Sequence, residues 1–223
     1  MKSISLASSR WTQAVGLLLV LGSDFVLRDA MLPQQPSDFD IGLTLTIEWF
    51  ILLFLLAFWI PRVEGRDLSN IGLGTFRLRY LWLSIATYFL LFLAWIGSYY
   101  ALSAFGLSGL GSLQPELRRH SFPVLFVLLL TGTFLEEIFY RGYIIERTVS
   151  LTGRRSLGGF VSWVTFTLVH LKFFGFGPTL DVGILSAGLV ILYLKEQSLW
   201  PCVLLHGIND AFGLLIGPLL IIP

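Results

Sequence analysis

The feature that most constrains this chain is a series of long apolar runs, because about 20 mostly apolar residues suffice to carry a helix across the hydrocarbon layer of a membrane. Roughly seven such runs stand between charged or Pro/Gly-rich breaks: Trp11 to Leu27, Ile41 to Ile60, Tyr80 to Phe105, Phe122 to Ile145, Gly158 to Phe174, Val182 to Leu194 and Leu199 to Ile222. The sixth is short. The last contains Gly207, Gly213, Gly217 and Pro218, so it fits either one span or two pieces. With 55% of residues hydrophobic and 13% charged, and a mean hydropathy of +0.79, too little polar surface remains to solvate a globule in water. In lipid the backbone must satisfy its own hydrogen bonds, which for runs of this length means helices. The expected fold is all-α, a polytopic transmembrane helical bundle of about six to eight spans. It is expected to be one integrated membrane domain, in which residues 1–121 supply N-terminal helices and residues 122–223 carry a polar cavity.

Positive charge in short loops marks the cytoplasmic side. Lys2 and Arg10 precede the first run, Arg62, Arg66, Arg77 and Arg79 follow the second, and Arg141, Arg147, Arg154 and Arg155 cluster at the end of the fourth. The loop after the first run instead sets Arg28 beside Asp29, Asp38 and Asp40. The expectation is a multi-pass protein of the plasma (cell) membrane with a cytoplasmic N-terminus, with Arg118 and Arg119 as the discordant pair. Lys2, Arg10 and the apolar Trp11 to Leu21 also have the layout of a signal peptide, but no Ala-x-Ala type of cleavage site follows, so the run is taken as a retained span. A formal net charge of +1 argues against nucleic acid as a partner. The single cysteine, Cys202, cannot form an intrachain disulfide and reads as a small packed hydrophobe. Gly183-Ile-Leu-Ser-Ala187 and Gly213-Leu-Leu-Ile-Gly217 have the spacing of closely packed helix faces.

Ionisable groups at membrane depth are expensive to bury, so each one inside a span is a functional hypothesis. The fourth run holds Phe134-Leu-Glu136-Glu137-Ile-Phe-Tyr-Arg141-Gly142, the fifth ends in Phe166-Thr-Leu-Val-His170, and the last holds His206-Gly-Ile-Asn209-Asp210. Glu137 and Arg141 stand four apart on one helix face and suit an ion pair. Glu136 points about 100° away around the helix, free to face a cavity. His206 shares a face with Asn209 and Asp210. Any one of these groups alone is as compatible with a hydrogen-bonded core residue or an interfacial charge cluster. Three spans each carrying one are better explained by a shared polar cavity. Glu48, in the second run, is expected at the interface; Asp24 and Asp181, close to run ends where water is within reach, are given no role, and His120 lies in a loop.

Taken in order, Glu-Glu-x-x-x-Arg, Phe-x-x-x-His and His-x-x-x-Asn/Asp resemble the motifs of the CAAX-prenyl endopeptidase and bacteriocin-processing family, also called the abortive-infection family, of intramembrane proteases. The resemblance covers roughly residues 122 to 215 and rests on Glu136, Glu137 and Arg141, on Phe166 and His170, and on His206 and Asp210. It implies a helical endopeptidase in which Glu136 and His170 activate a water, His206 and Asp210 hold the oxyanion, and Glu137, Arg141 and Phe166 support them. Asparagine is common at the family position held here by Asp210, and Asp210 donates a hydrogen bond only when protonated, so Asn209 is the alternative donor. The implied partners are membrane lipids and a peptide or protein substrate, lipid-modified or simply hydrophobic.

Hydrolysis of an amide needs a base for water and preorganised donors where negative charge develops, and this set supplies both. Glu136, His170 and His206 would also suit zinc, with one position open for water. The cofactor expectation is thus none or zinc, and the absence of a His-Glu-x-x-His run favours metal-free water activation. Two other classes compete. A non-catalytic binding, immunity or scaffold protein would use the same cavity and tolerate loss of the Glu136 carboxylate. A proton-coupled transporter would show symmetry between its halves, whereas the charged residues here crowd into one.

Overall fold

Six helices in the computed structural model are long and apolar enough to cross a membrane. The structure describes residues 10–33, 35–107, 109 and 113–220, and all regular structure among them is helical. Lys2, and the end of the last run beyond residue 220, lie outside the described residues. We label the helices α1 (Arg10–Gly22), α2 (Asp38–Val63), α3 (Arg79–Ala104), α4 (Phe122–Thr152), α5 (Arg155–Phe174), α6 (Phe176–Glu196) and α7 (Trp200–Leu219).

The differences from the apolar runs have local causes. The first run is helical and continues through Ser23–Leu27 and Arg28–Met31, yet it is not among the six spans. Gln13 and Asp24 are buried polar residues within it. The sixth run is a full span, because Gly175 to Pro178, which looked like a break, is the start of α6. Gly175 has φ 76°, and Pro178 falls in the first turn, where its missing N–H has no intrahelical partner to lose. The last run is not broken: helical winding is continuous from Trp200 to Leu219, with Gly213 and Gly217 inside it. Upstream, α2 begins at a capping box, in which Ser37 Oγ accepts the Asp40 N–H at 3.2 Å and the Asp40 carboxylate accepts the Ser37 N–H at 2.9 Å.

Helix α4 is the hub. Between Thr131 and Ile145 every residue except Phe134 is buried, and this stretch touches α1, α2, α5, α6 and α7. From Thr131 to Ile144 it winds as a π-helix, a rare geometry that frequently accompanies functional sites. The other extreme is α3, which packs on α6 and α7 and leaves Trp82, Phe89, Phe92, Tyr99 and Tyr100 exposed, as suits a lipid-facing and interfacial surface.

A buried knot anchors the N-terminal helices to α4. Tyr143 Oη donates to Glu64 at 2.6 Å, Arg147 Nε donates to the same carboxylate at 2.8 Å, and Trp59 Nε1 donates to Tyr143 Oη at 3.1 Å. Gly16 of α1 lies against this knot, and a Cβ there would come within 1.8 Å of Tyr143 Oη. Contacts also separate the two ends of the bundle. Arg66 donates to Ser150 Oγ at 3.0 Å, Trp200 Nε1 donates to the Gly74 carbonyl at 2.7 Å, and Arg79 pairs with Glu196, gathering the arginine-bearing loops at one end. Arg118 reaches the Pro218 carbonyl, and His120 Nδ1 meets Asp38 at 2.9 Å, so the discordant arginines sit at the other end.

Candidate active site

The three motifs converge where α4 crosses α5, α6 and α7. Glu137 and Arg141 are fully buried and paired at 2.9 Å, as their spacing predicts. Glu137 Oε1 also accepts a hydrogen bond from His206 Nδ1 at 2.8 Å. One carboxylate oxygen therefore binds both the guanidinium of its own helix and the imidazole of α7. With Nδ1–H committed to a carboxylate, the neutral His206 ring carries its lone pair on Nε2, which lies 3.5 Å from Asp210 Oδ1. Asn209 Nδ2 donates to that same Asp210 oxygen at 3.0 Å. Glu136 is 6% exposed and close enough to His206 and Asp210 to act electrostatically on both.

His170 joins the cluster through Phe166. Its Nδ1 donates to the Phe166 carbonyl at 2.8 Å, so a neutral ring keeps its lone pair on Nε2. The Phe166 ring lies 4.8 Å from the His170 ring, 6.0 Å from the His206 ring and edge-on to Tyr140 at 5.0 Å. It also sits under the Arg141 guanidinium, 4.1 Å from centroid to cation, a stacking that becomes stronger away from water.

Residues 118–212 match the family model described as Type II CAAX prenyl endopeptidase Rce1-like. Over these residues the chain is similar to that family. The match bears out the resemblance carried by the motifs, and its span takes in Glu136, Glu137, Arg141, Phe166, His170, His206, Asn209 and Asp210. No curated protein and no solved structure matches the chain. With six helices long and apolar enough to cross a membrane, this chain is a multi-pass integral membrane protein.

Several residues around this site stand where the sequence did not place them. Ser186 of α6 is buried and accepts a hydrogen bond from Arg141 Nη2 at 3.0 Å; its only sequence signal was the small-residue face Gly183 to Ala187. Asp24, expected near water, is 2% exposed and takes the Tyr140 hydroxyl hydrogen bond, which ties α1 to the motif helix. Asp181, likewise expected near water, is buried and accepts from Ser98 Oγ at 2.6 Å. Glu48 is 1% exposed rather than interfacial. Its neighbour Trp49 donates to Thr131 Oγ1 at 3.0 Å, at the start of the π-wound stretch. For Asp24 and Asp181 a side chain from another helix meets the acid, and distance along the chain from a run end does not report that.

Among the described residues no three His, Cys, Asp or Glu side chains are grouped so as to hold a metal ion. His206 and His170 both commit Nδ1 within the protein, to Glu137 and to the Phe166 carbonyl, which leaves Nε2 of each ring as the nitrogen that could meet a metal or a substrate. No step below runs through a metal.

Gly132 sets the clearance of the site. A Cβ at this position would lie 2.5 Å from Asp210 Oδ2 and 3.5 Å from His206 Nε2. Gly132→Ala is expected to push Asp210 away and lower kcat by about 10-fold or more, in line with the sensitivity of catalysis to misplacement of about 1 Å. Steady-state kinetics on the folded variant check this, and unchanged kcat would mean that Asp210 does not act from its present position.

Proposed function

We propose that this chain is an intramembrane endopeptidase that hydrolyses its peptide bond with Glu136 as the base. The observation that carries the reading is the shared Glu137 oxygen, which fixes the His206 ring so that Nε2 points toward Asp210 beside the Glu136 carboxylate. A buried structural histidine needs one satisfied nitrogen. A histidine held by a fully buried ion pair, with its second nitrogen directed at another acid, is arranged for chemistry.

In this mechanism Glu136, with His170 Nε2 as the second acceptor, orients a water and takes its proton as the oxygen attacks the scissile carbonyl. Negative charge then develops on the carbonyl oxygen. His206, protonated on Nε2 as well as on the Nδ1 that Glu137 holds, and either protonated Asp210 or Asn209 donate to that oxyanion. Glu136 returns the proton to the departing amine, which completes hydrolysis with no net proton change on the protein. Glu137, Arg141, Phe166 and Ser186 hold the imidazolium in one orientation. The substrate is a peptide or protein whose C-terminus is prenylated or otherwise hydrophobic. The arginine-rich end of the bundle faces the cytoplasm, giving a plasma-membrane protein with a cytoplasmic N-terminus.

The test is cleavage by the purified protein in phosphatidylcholine vesicles. Its substrates are quenched fluorescent CAAX-type peptides, one with a prenylated cysteine and one unmodified. The expected result is hydrolysis that persists in the presence of a zinc chelator. Binding of both peptides without cleavage would replace the enzyme with a non-catalytic binding protein, and chelator-sensitive cleavage would replace the metal-free mechanism.

A further inference from the structure

Seven helical threonines in this protein turn their hydroxyls back onto the carbonyl four residues earlier. Thr44 bonds Asp40 O at 2.9 Å, Thr131 bonds Val127 O at 2.8 Å, Thr165 bonds Val161 O at 2.8 Å, and Thr179 bonds Gly175 O at 2.6 Å. Such back-bonding is the default way for a helix to satisfy a buried hydroxyl. Thr133 departs from it. The residue is 6% exposed, and its Oγ1 has no hydrogen-bond partner among the described residues. A buried hydroxyl without a partner destabilises the fold, so its presence calls for a specific cause.

Its surroundings supply one. Thr133 lies in the π-wound stretch of α4, one turn before Glu136 and Glu137. A Cβ built on Gly207, the residue after His206, would lie 3.4 Å from Thr133 Oγ1. Gly132 meets Asp210 and His206 Nε2 from the same helix edge. The two glycines bring α4 and α7 into close approach, and the unsatisfied hydroxyl sits at that crossing, beside Gly207, the residue that follows His206. Unlike His206 and Asp210, a hydroxyl donates whatever the protonation state of the site.

We propose that Thr133 contacts the substrate, its hydroxyl donating a hydrogen bond to the peptide carbonyl beside His206. This rests on the endopeptidase reading above and adds to it a neutral donor outside the three motifs. Binding of substrate gives the hydroxyl the acceptor that the free protein does not offer. The contact strengthens as the carbonyl oxygen gains charge, so it acts on kcat more than on KM.

The experiment compares wild type, Thr133→Val, Thr133→Ser and Glu136→Gln on the prenylated CAAX peptide in vesicles, with thermal midpoints measured in detergent. Valine keeps the branched shape and removes the hydroxyl. It is expected to lower kcat by about 10²-fold, the scale of losing one oxyanion donor, with a thermal midpoint equal to or above that of wild type. Serine is expected to retain most of the rate. Wild-type kcat in Thr133→Val, or a fall of midpoint and rate together, overturns the proposal; the first result leaves the enzyme standing without this contact. Should wild type show no cleavage beyond that of Glu136→Gln, the endopeptidase reading falls, and the role of Thr133 with it.

Discussion

Glu136→Gln is expected to reduce peptide cleavage by at least about 10³-fold, within the range that a positioned acid–base group contributes, while the protein still folds and inserts. Glutamine has nearly the same shape and fills the same buried position, but it cannot take a proton from water. The stability consequence is smaller. Glu136 acts on Asp210 with like charge and on His206 with opposite charge, so neutralising it removes a repulsion together with an attraction. The thermal midpoint in detergent should therefore change little as activity disappears. Rate and midpoint measured on the same preparation decide the matter. Near-normal cleavage would remove Glu136 from the chemistry, and a large drop in midpoint would make it a structural acid.

How much of this was legible in the sequence follows from which energies act locally. Spans are set by apolar length, a property of consecutive residues, and α3 and α4 appear close to where their runs predict. Motif residues are legible because an ionisable group in an apolar run is costly wherever its partner lies. The partners themselves are not. Glu137 and Arg141 pair within one helix turn and follow from spacing alone, but the second partner of Glu137, His206, comes from α7. Ser186, Asp24 and Asp181 were read from their own surroundings in the chain, as a packing residue or as acids near water. The structure instead gives them Arg141, Tyr140 and Ser98 from other helices. Winding is a further limit. Placement of Glu136 and Glu137 about 100° apart assumes α-helical turns, whereas Thr131 to Ile144 is π-wound, and no residue type in that stretch announces the change.

Glu137→Gln should be the most destabilising single change in the site. Its carboxylate is fully buried and accepts from both Arg141 and His206 through one oxygen. The amide can still accept one hydrogen bond, but it leaves the Arg141 cation without a counter-charge in a buried position. Breaking a buried pair in this way costs about 3–5 kcal/mol, equivalent to a thermal midpoint lower by roughly 10 °C for a chain of this size. Phe166 and Ser186 remain against the guanidinium and keep the loss from being total. Turnover should fall as well, because His206 loses the anion that holds its Nδ1–H and orients the ring. The two effects have different origins, and a second variant separates them. Glu137→Gln combined with Arg141→Met removes the stranded cation, so the midpoint should recover most of its loss. His206 would still lack its anionic partner, so the rate should not recover. Thermal melts and kcat of the single and double variants test this. A single variant with an unchanged midpoint would contradict the buried pair, and recovery of rate in the double variant would mean that Glu137 serves the fold alone.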